Sequence, residues 1–205
     1  MAEIEYSNLT PISSDKSIMN SNLIILPGNG PTNKEWAEKA RDFFATYFKS
    51  VTIQYYDHWQ KGSELIDMDI ELRKLTDIVK SLQGEIVILA KSVGTALTMY
   101  TLHSKSIDSS RISKCVFVGL PSNWARTNGF DIDGWMVDYA IPTTLIQNDH
   151  DPVASAEDIR NEQIGGRFKN MTLHTLVKWK SSKDTELVRW VSLSRLRPVR
   201  ENRSW

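Results

Sequence analysis

The feature that most constrains this chain is a rhythm of short, almost wholly apolar runs. Each is stopped by a loop of small or turn-forming residues, and most are followed by a stretch with helical periodicity. Leu23-Ile24-Ile25-Leu26 ends at Pro27-Gly28-Asn29-Gly30-Pro31, which is how a strand buried on both faces enters a tight loop. The next segment, with Asn33 as its expected N-cap, carries Trp36, Ala40, Phe43, Phe44, Tyr47 and Phe48 on one helical face. Residues 51–55 then read as a strand and 64–82 as a helix with Leu65, Ile66, Met68, Leu72, Leu75, Ile78, Val79 and Leu82 inward. Residues 85–89 read as a strand and about 93–103 as a helix; 115–118, 143–146 and 171–177 supply further strands, with helices near 154–163 and 184–191. Strands alternating with helices imply parallel crossovers, hence an α/β fold: a three-layer α/β/α sandwich on a mostly parallel, six-stranded sheet.

A chain of 205 residues is most economically one domain. Residues 1–20 are a polar lead-in, 21–192 the folded domain, and 193–205 a basic tail that reads as solvated, with a partner-binding arm as the alternative. Lys and Arg number 25 and Asp and Glu 25, so no field of one sign draws the protein to nucleic acid or an anionic membrane, and neither is expected as a partner. Hydrophobic residues at 40% with 7 Trp supply enough apolar surface for a core. Cys115 is the single cysteine, so no internal disulfide and no cysteine-based zinc site can form, which fits a reducing, cytoplasmic location. The N-terminal sequence has neither a cationic start nor an apolar run, and no apolar stretch nears the roughly 18 residues of a membrane span.

In an open parallel sheet, ligands bind beyond the carboxyl ends of the strands. After the third strand comes Ala90-Lys91-Ser92-Val93-Gly94 and then a helix. Small residues two before and two after a serine, between strand and helix, are what a nucleophile elbow requires, because the turn is too tight for larger side chains. Such a turn projects the hydroxyl into the site and brings the Val93 N–H, at the positive end of the new helix, to where an oxyanion would form. A phosphate-binding loop is rejected: it needs glycine directly before Lys-Ser.

A second oxyanion donor is expected from the loop after the first strand, where glycines let the backbone approach a substrate; Asn29 is chosen, with Gly30 as the alternative. An acid is expected after the fifth strand, in Gln147-Asn148-Asp149-His150-Asp151-Pro152-Val153. Asp151, stiffened by the following proline, is chosen over Asp149 to orient an imidazole and stabilise its cation.

With these blocks in place, the sequence resembles the α/β-hydrolase superfamily, and within it the small, nearly lidless serine hydrolases of the retinoblastoma-binding-protein-nine type. Residues 23–30 look like their first strand with its His-Gly-Asn-Gly loop, 86–94 like their strand and elbow, and 146–153 like their strand and Asp-Pro acid turn. The resemblance implies a small α/β-hydrolase fold, Ser92 as nucleophile, Asp151 as acid, Asn29 and Val93 as oxyanion donors, and ester or amide hydrolysis without metal or cofactor.

Two departures accompany it. Pro27 stands where such proteins often have histidine, which need not affect a backbone donor. The family's catalytic histidine follows the last strand by a few residues, but Lys178-Trp179-Lys180-Ser181-Ser182-Lys183 holds none, with Ser181 near the expected position. Of the histidines present, His58 reads as a pocket wall, His103 as a helix C-terminus, His150 as too near Asp151 to face it, and His174 as a satisfied sheet residue, though the best displaced base. Between the fourth and fifth strands, Trp124, Phe130, Trp135 and Tyr139 either roof the serine site or cap the core. The function expected is serine hydrolysis of a carboxylic ester or similar small acyl substrate. The alternative is a catalytically impaired pseudohydrolase that binds a small ligand or a protein, the latter through its C-terminal tail.

Overall fold

A computed structural model describes residues 19–62, 65–137, 139–151, 153–166 and 170–176. Strand β1, Asn22–Leu26, is buried at every residue, and because side chains alternate along a strand it feeds two cores. Leu23 and Ile25 pack with Trp36, Ala40 and Phe44 on one face, while Ile24 and Leu26 pack with Leu75, Val79 and Leu97 on the other. The remaining strands are β2 Ser50–Ile53, β3 Ile86–Lys91, β4 Ile112–Val118, β5 Thr143–Asn148 and β6 Met171–Leu176. They lie in the order β2-β1-β3-β4-β5-β6, and every pairing is parallel.

Helix α1, Asn33–Phe44, covers the first face. The short α2, His58–Lys61, leads to α3, Met68–Ser81, and α4 is Val93–His103. Residues of α3 and α4 cover the opposite face together with α5 Ser122–Thr127, α6 Ile132–Val137 and α7 Ala156–Ile164. Helices on both faces of a parallel sheet give the expected three layers.

Several boundaries differ from the sequence reading. The third helix starts at Met68 because the Asp67 carboxylate caps it, accepting from the Asp69 and Ile70 N–H at 3.1 and 3.0 Å. Leu65 therefore precedes the helix and is exposed, not inward. Strand β2 stops at Ile53 because Gln54 turns inward, its amide donating to the buried Glu71 carboxylate at 2.8 Å. Asn33 does not cap α1: it is the first helical residue, and its side-chain amide donates to the Gly30 carbonyl at 3.0 Å. Helix α7 begins two residues late because Ser155 and Asp158 form a capping box. The expected helix at 184–191, the loop around Ser181 and the basic tail lie outside the described residues.

Candidate active site

The strand order places a topological switch point between β1 and β3: the chain leaves β1 toward β2 by way of α1 on one face, and leaves β3 toward β4 by way of α4 on the other. Loops diverging to opposite faces leave a crevice between them at the carboxyl end of the sheet. The Pro27–Gly30 loop and Ser92 follow the two strands that flank this point, β1 and β3.

Ser92 has φ 50° and ψ −119°, a conformation that costs a residue with a Cβ on the order of 1–3 kcal/mol. The surroundings enforce it. The Ser92 N–H extends the sheet by donating to the Val118 carbonyl at 2.9 Å, while its own carbonyl accepts from the Thr95 N–H at 2.8 Å and hydroxyl at 2.7 Å. Its side chain makes no capping hydrogen bond to α4, so the ordinary reason for a serine at a helix start is absent. Ala90 is fully buried, and a Cβ at Gly94 would lie 2.4 Å from the Leu26 carbonyl oxygen; the small residues at both positions are therefore dictated by contact. The Val93 N–H belongs to the first turn of α4, where amides have no intrahelical acceptor.

Asp151 stands after β5. One of its carboxylate oxygens accepts from the Val153 N–H at 3.0 Å, while the other lies 3.6 Å from where a Cβ of Gly119 would be. Gly119 directly follows Val118, the residue to which the Ser92 amide is bonded, and its φ of +71° favours glycine. The second oxygen of the Asp151 carboxylate thus lies close to Gly119, the residue that follows β4. Asp149 is turned elsewhere, 4.0 Å from the Arg160 guanidinium.

Gln147, which the sequence reading passed over, fastens this region. Fully buried at the end of β5, it accepts from the Leu120 N–H at 2.7 Å and donates to the Ala154 carbonyl at 2.6 Å. It ties the β4 loop to the far end of the Asp151 turn. An amide following Leu145 and Ile146 in β5 is the sequence signal, and by itself it says nothing about which loops it joins.

In the loop after β1, the Pro27 carbonyl accepts from the Tyr56 hydroxyl at 2.9 Å. The Asn29 carbonyl accepts from His58 Nε2 at 2.7 Å and Trp59 Nε1 at 2.6 Å, and the Asn29 side-chain oxygen accepts from the Ile66 N–H at 3.2 Å. Gly30 offers its carbonyl to Asn33, backbone and side chain both at 3.0 Å.

No protein-family model matches this sequence, and no curated protein does. Solved structures do. A YdeN-like hydrolase from Pectobacterium atrosepticum superposes with a TM-score of 0.59 at 12% identity, over 78% of this chain and 79% of its own. Est1E from Butyrivibrio proteoclasticus gives 0.54 at 12% identity over 81% of each chain. The type II thioesterase BorB from the borrelidin biosynthetic cluster gives 0.53 at 17%, over 78% of this chain and 82% of its own. The chain has the α/β-hydrolase fold.

On an α/β-hydrolase sheet the histidines can be placed against Ser92. Lys91, Val118, Ile146 and His174 stand level across β3, β4, β5 and β6. Three inter-strand spacings of about 4.8 Å put His174 roughly 14 Å from the elbow strand, beyond the reach of an imidazole. His103 ends α4 as expected, and His150 is exposed. His58 is buried, and its Nε2 donates to the Asn29 carbonyl at 2.7 Å.

The aromatics between β4 and β5 divide. Trp135 and Tyr139 are buried in the core, Tyr139 against Phe117 and with its hydroxyl 2.6 Å from that of Thr143. Trp124 and Phe130 are partly buried against that core. They cap it; none of their described contacts is with Ser92. Cys115 is fully buried, and burial pushes its thiol up to about 12, so it is no rival nucleophile. Lys91, adjoining Ser92, lies over the Trp36 indole at 5.2 Å, and burial lowers its pKa. Among the described residues no cluster of ligands suits a metal, and no helix is long and apolar enough to cross a membrane.

Proposed function

We propose that this α/β-hydrolase-fold protein is a small cytoplasmic serine hydrolase of the retinoblastoma-binding-protein-nine type. It would act on a carboxylic ester or similar small acyl substrate, with Ser92 as nucleophile and Asp151 as acid. The observation that carries the reading is the Ser92 backbone, held at φ 50° between β3 and α4 with a hydroxyl that caps nothing. The Ser92 oxygen attacks the acyl carbonyl, whose oxygen takes up negative charge opposite the Val93 N–H and an amide of the β1 loop, Asn29 in the sequence reading. The alcohol departs with the serine proton; water then cleaves the acyl-enzyme, releasing the acid and restoring the hydroxyl. This chemistry uses no metal or cofactor.

Labelling with a fluorophosphonate, alongside hydrolysis of a short p-nitrophenyl ester, tests the reading. Wild-type protein is expected to label and Ser92→Ala to lose the label; wild-type protein that folds and does not label overturns it.

A second reading is favoured by the sequence of residues 178–183, which contain no histidine. A pseudohydrolase would keep the crevice as a binding site for a small ligand, since a triad lacking a member retains only about 10³–10⁴-fold catalysis over water. Ser181→His separates the two: a gain in ester hydrolysis points to a site that lacks only its base, and no gain points to a binding module.

A further inference from the structure

Three side chains from one short segment hold the β1 loop, and the way they hold it decides which loop amide can serve Ser92. A carbonyl oxygen has two lone pairs; at Asn29 both are taken, by His58 Nε2 at 2.7 Å and Trp59 Nε1 at 2.6 Å. Two donors converging on one oxygen fix the orientation of its peptide plane; Asn33 on the Gly30 carbonyl fixes the next peptide, and the Tyr56 hydroxyl on the Pro27 carbonyl anchors the start of the loop. Among the described residues no peptide bond is cis. In a trans peptide the N–H points opposite to the C=O, so the Gly30 N–H faces directly away from His58 and Trp59.

The sheet order says what lies on that far side. His58 and Trp59 follow β2, the loop follows β1, and Ser92 follows β3, in the spatial order β2-β1-β3. The contact of Gly94 with the Leu26 carbonyl puts the elbow directly beside the end of β1. A loop peptide whose carbonyl is drawn to the β2 side turns its N–H to the β3 side. The Gly30 N–H has no acceptor among the described residues, as a donor kept for a substrate would not. Gly28 shows how tightly the loop is set: a Cβ there would lie 2.9 Å from the Asn33 side chain.

We propose that Tyr56, His58 and Trp59 are positioning residues that clamp the Pro27 and Asn29 carbonyls and thereby aim the Gly30 N–H at Ser92, making Gly30 the second oxyanion donor in place of Asn29. This rests on the reading of Ser92 as nucleophile. His58 then serves through a proton it keeps on Nε2, not as the missing base.

The test follows Ser92 modification by a fluorophosphonate as a function of its concentration, together with amide hydrogen exchange over residues 28–30. His58→Phe combined with Trp59→Phe keeps two rings and removes both donors; His58→Gln restores an N–H near the Nε2 position. The double variant is expected to lose about 10²-fold in maximal modification rate, the order of effect of a small misplacement, with half-saturation within about twofold, and to exchange its loop amides faster. His58→Gln is expected to recover most of the rate. Should the double variant fail to fold, Trp59→Phe and Tyr56→Phe singly carry the same expectations. An unchanged rate despite faster exchange overturns the aiming role, and unchanged exchange overturns the clamp. If wild-type protein is not modified, or Ser92→Ala still is, the nucleophile reading has failed and the positioning role falls with it; a modified wild type with an indifferent clamp variant fails the clamp alone.

Discussion

Gly94, in the first turn of α4, approaches Leu26 so closely that a Cβ at residue 94 would sit 2.4 Å from the Leu26 carbonyl oxygen. The atom in the way is backbone at the end of a fully buried strand, with no flexible side chain to yield. Overpacking costs typically about 1–3 kcal/mol, so Gly94→Ala is expected to lower the unfolding free energy by about 3 kcal/mol, the top of that range. Urea unfolding measures it; a change within about 0.5 kcal/mol, the usual scatter of surface substitutions, would mean that α4 slides away at no cost.

Ser92 itself should be a source of instability. Its φ of 50° lies where L-residues are strained, and glycine at that position removes the strain at the expense of a more flexible unfolded chain. Ser92→Gly is expected to raise the unfolding free energy by about 1 kcal/mol while abolishing fluorophosphonate labelling. A stabilised, unreactive variant would fit a residue retained for chemistry; a destabilised one would mean that the serine side chain contributes packing.

That strain explains why the turn at Ser92, in the candidate site, was legible in the sequence. Small residues at Ala90 and Gly94 are forced by local geometry, and a strand of four apolar residues before a Pro-Gly-Asn-Gly loop can hardly be anything else. What was not legible depends on which strands become neighbours. Nothing in the local pattern around Tyr56, His58 and Trp59 announces that they face Pro27 and Asn29; that follows only once β2 lies beside β1. The short helices α5 and α6 have too few turns for a periodicity to register, and Trp135 and Tyr139 went to the core because α6 packs against α4 and Tyr139 beneath Phe117.

Lys91 offers a test in pH. Burial disfavours its charged form in the folded protein, so its pKa lies below that of an unfolded-chain lysine. Between the two values the unfolded state binds more protons than the folded one, and stability therefore rises with pH across that window. Below the folded value the full penalty applies. The Trp36 ring offsets part of it by attracting the cation. Lys91→Met is expected to be more stable than wild type at neutral pH, with the difference shrinking as pH climbs through the alkaline window. A difference that stays constant with pH, by thermal melting in matched buffers, would show that desolvation of the ammonium is not its cause.

Cys115 is expected to be inert. Its thiol is fully buried and raised to about 12, chiefly by burial, so the thiolate fraction at neutral pH is negligible. Native protein should take up no iodoacetamide on the timescale on which denatured protein is fully alkylated. Rapid native alkylation, read by intact mass, would mean that the sheet opens at β4.

Gln147 couples stability to the turn that bears Asp151, and a change there should register in both. Its amide answers two buried or half-buried backbone groups, the Leu120 N–H and the Ala154 carbonyl. Gln147→Leu keeps the volume and leaves both without a partner, and an unsatisfied buried polar group costs about 1–3 kcal/mol. The expected loss is about 3 kcal/mol in urea unfolding, with both groups contributing. Because the same bonds hold the end of β4 against the turn bearing Asp151, the variant should also label more slowly with fluorophosphonate under conditions where it remains fully folded. Gln147→Glu, which keeps the acceptor for Leu120 but loses the donor for Ala154, should fall between the two in stability at low pH, where the protonated acid can again donate. A Gln147→Leu protein that labels at the wild-type rate would show that the placement of Asp151 does not depend on this tie.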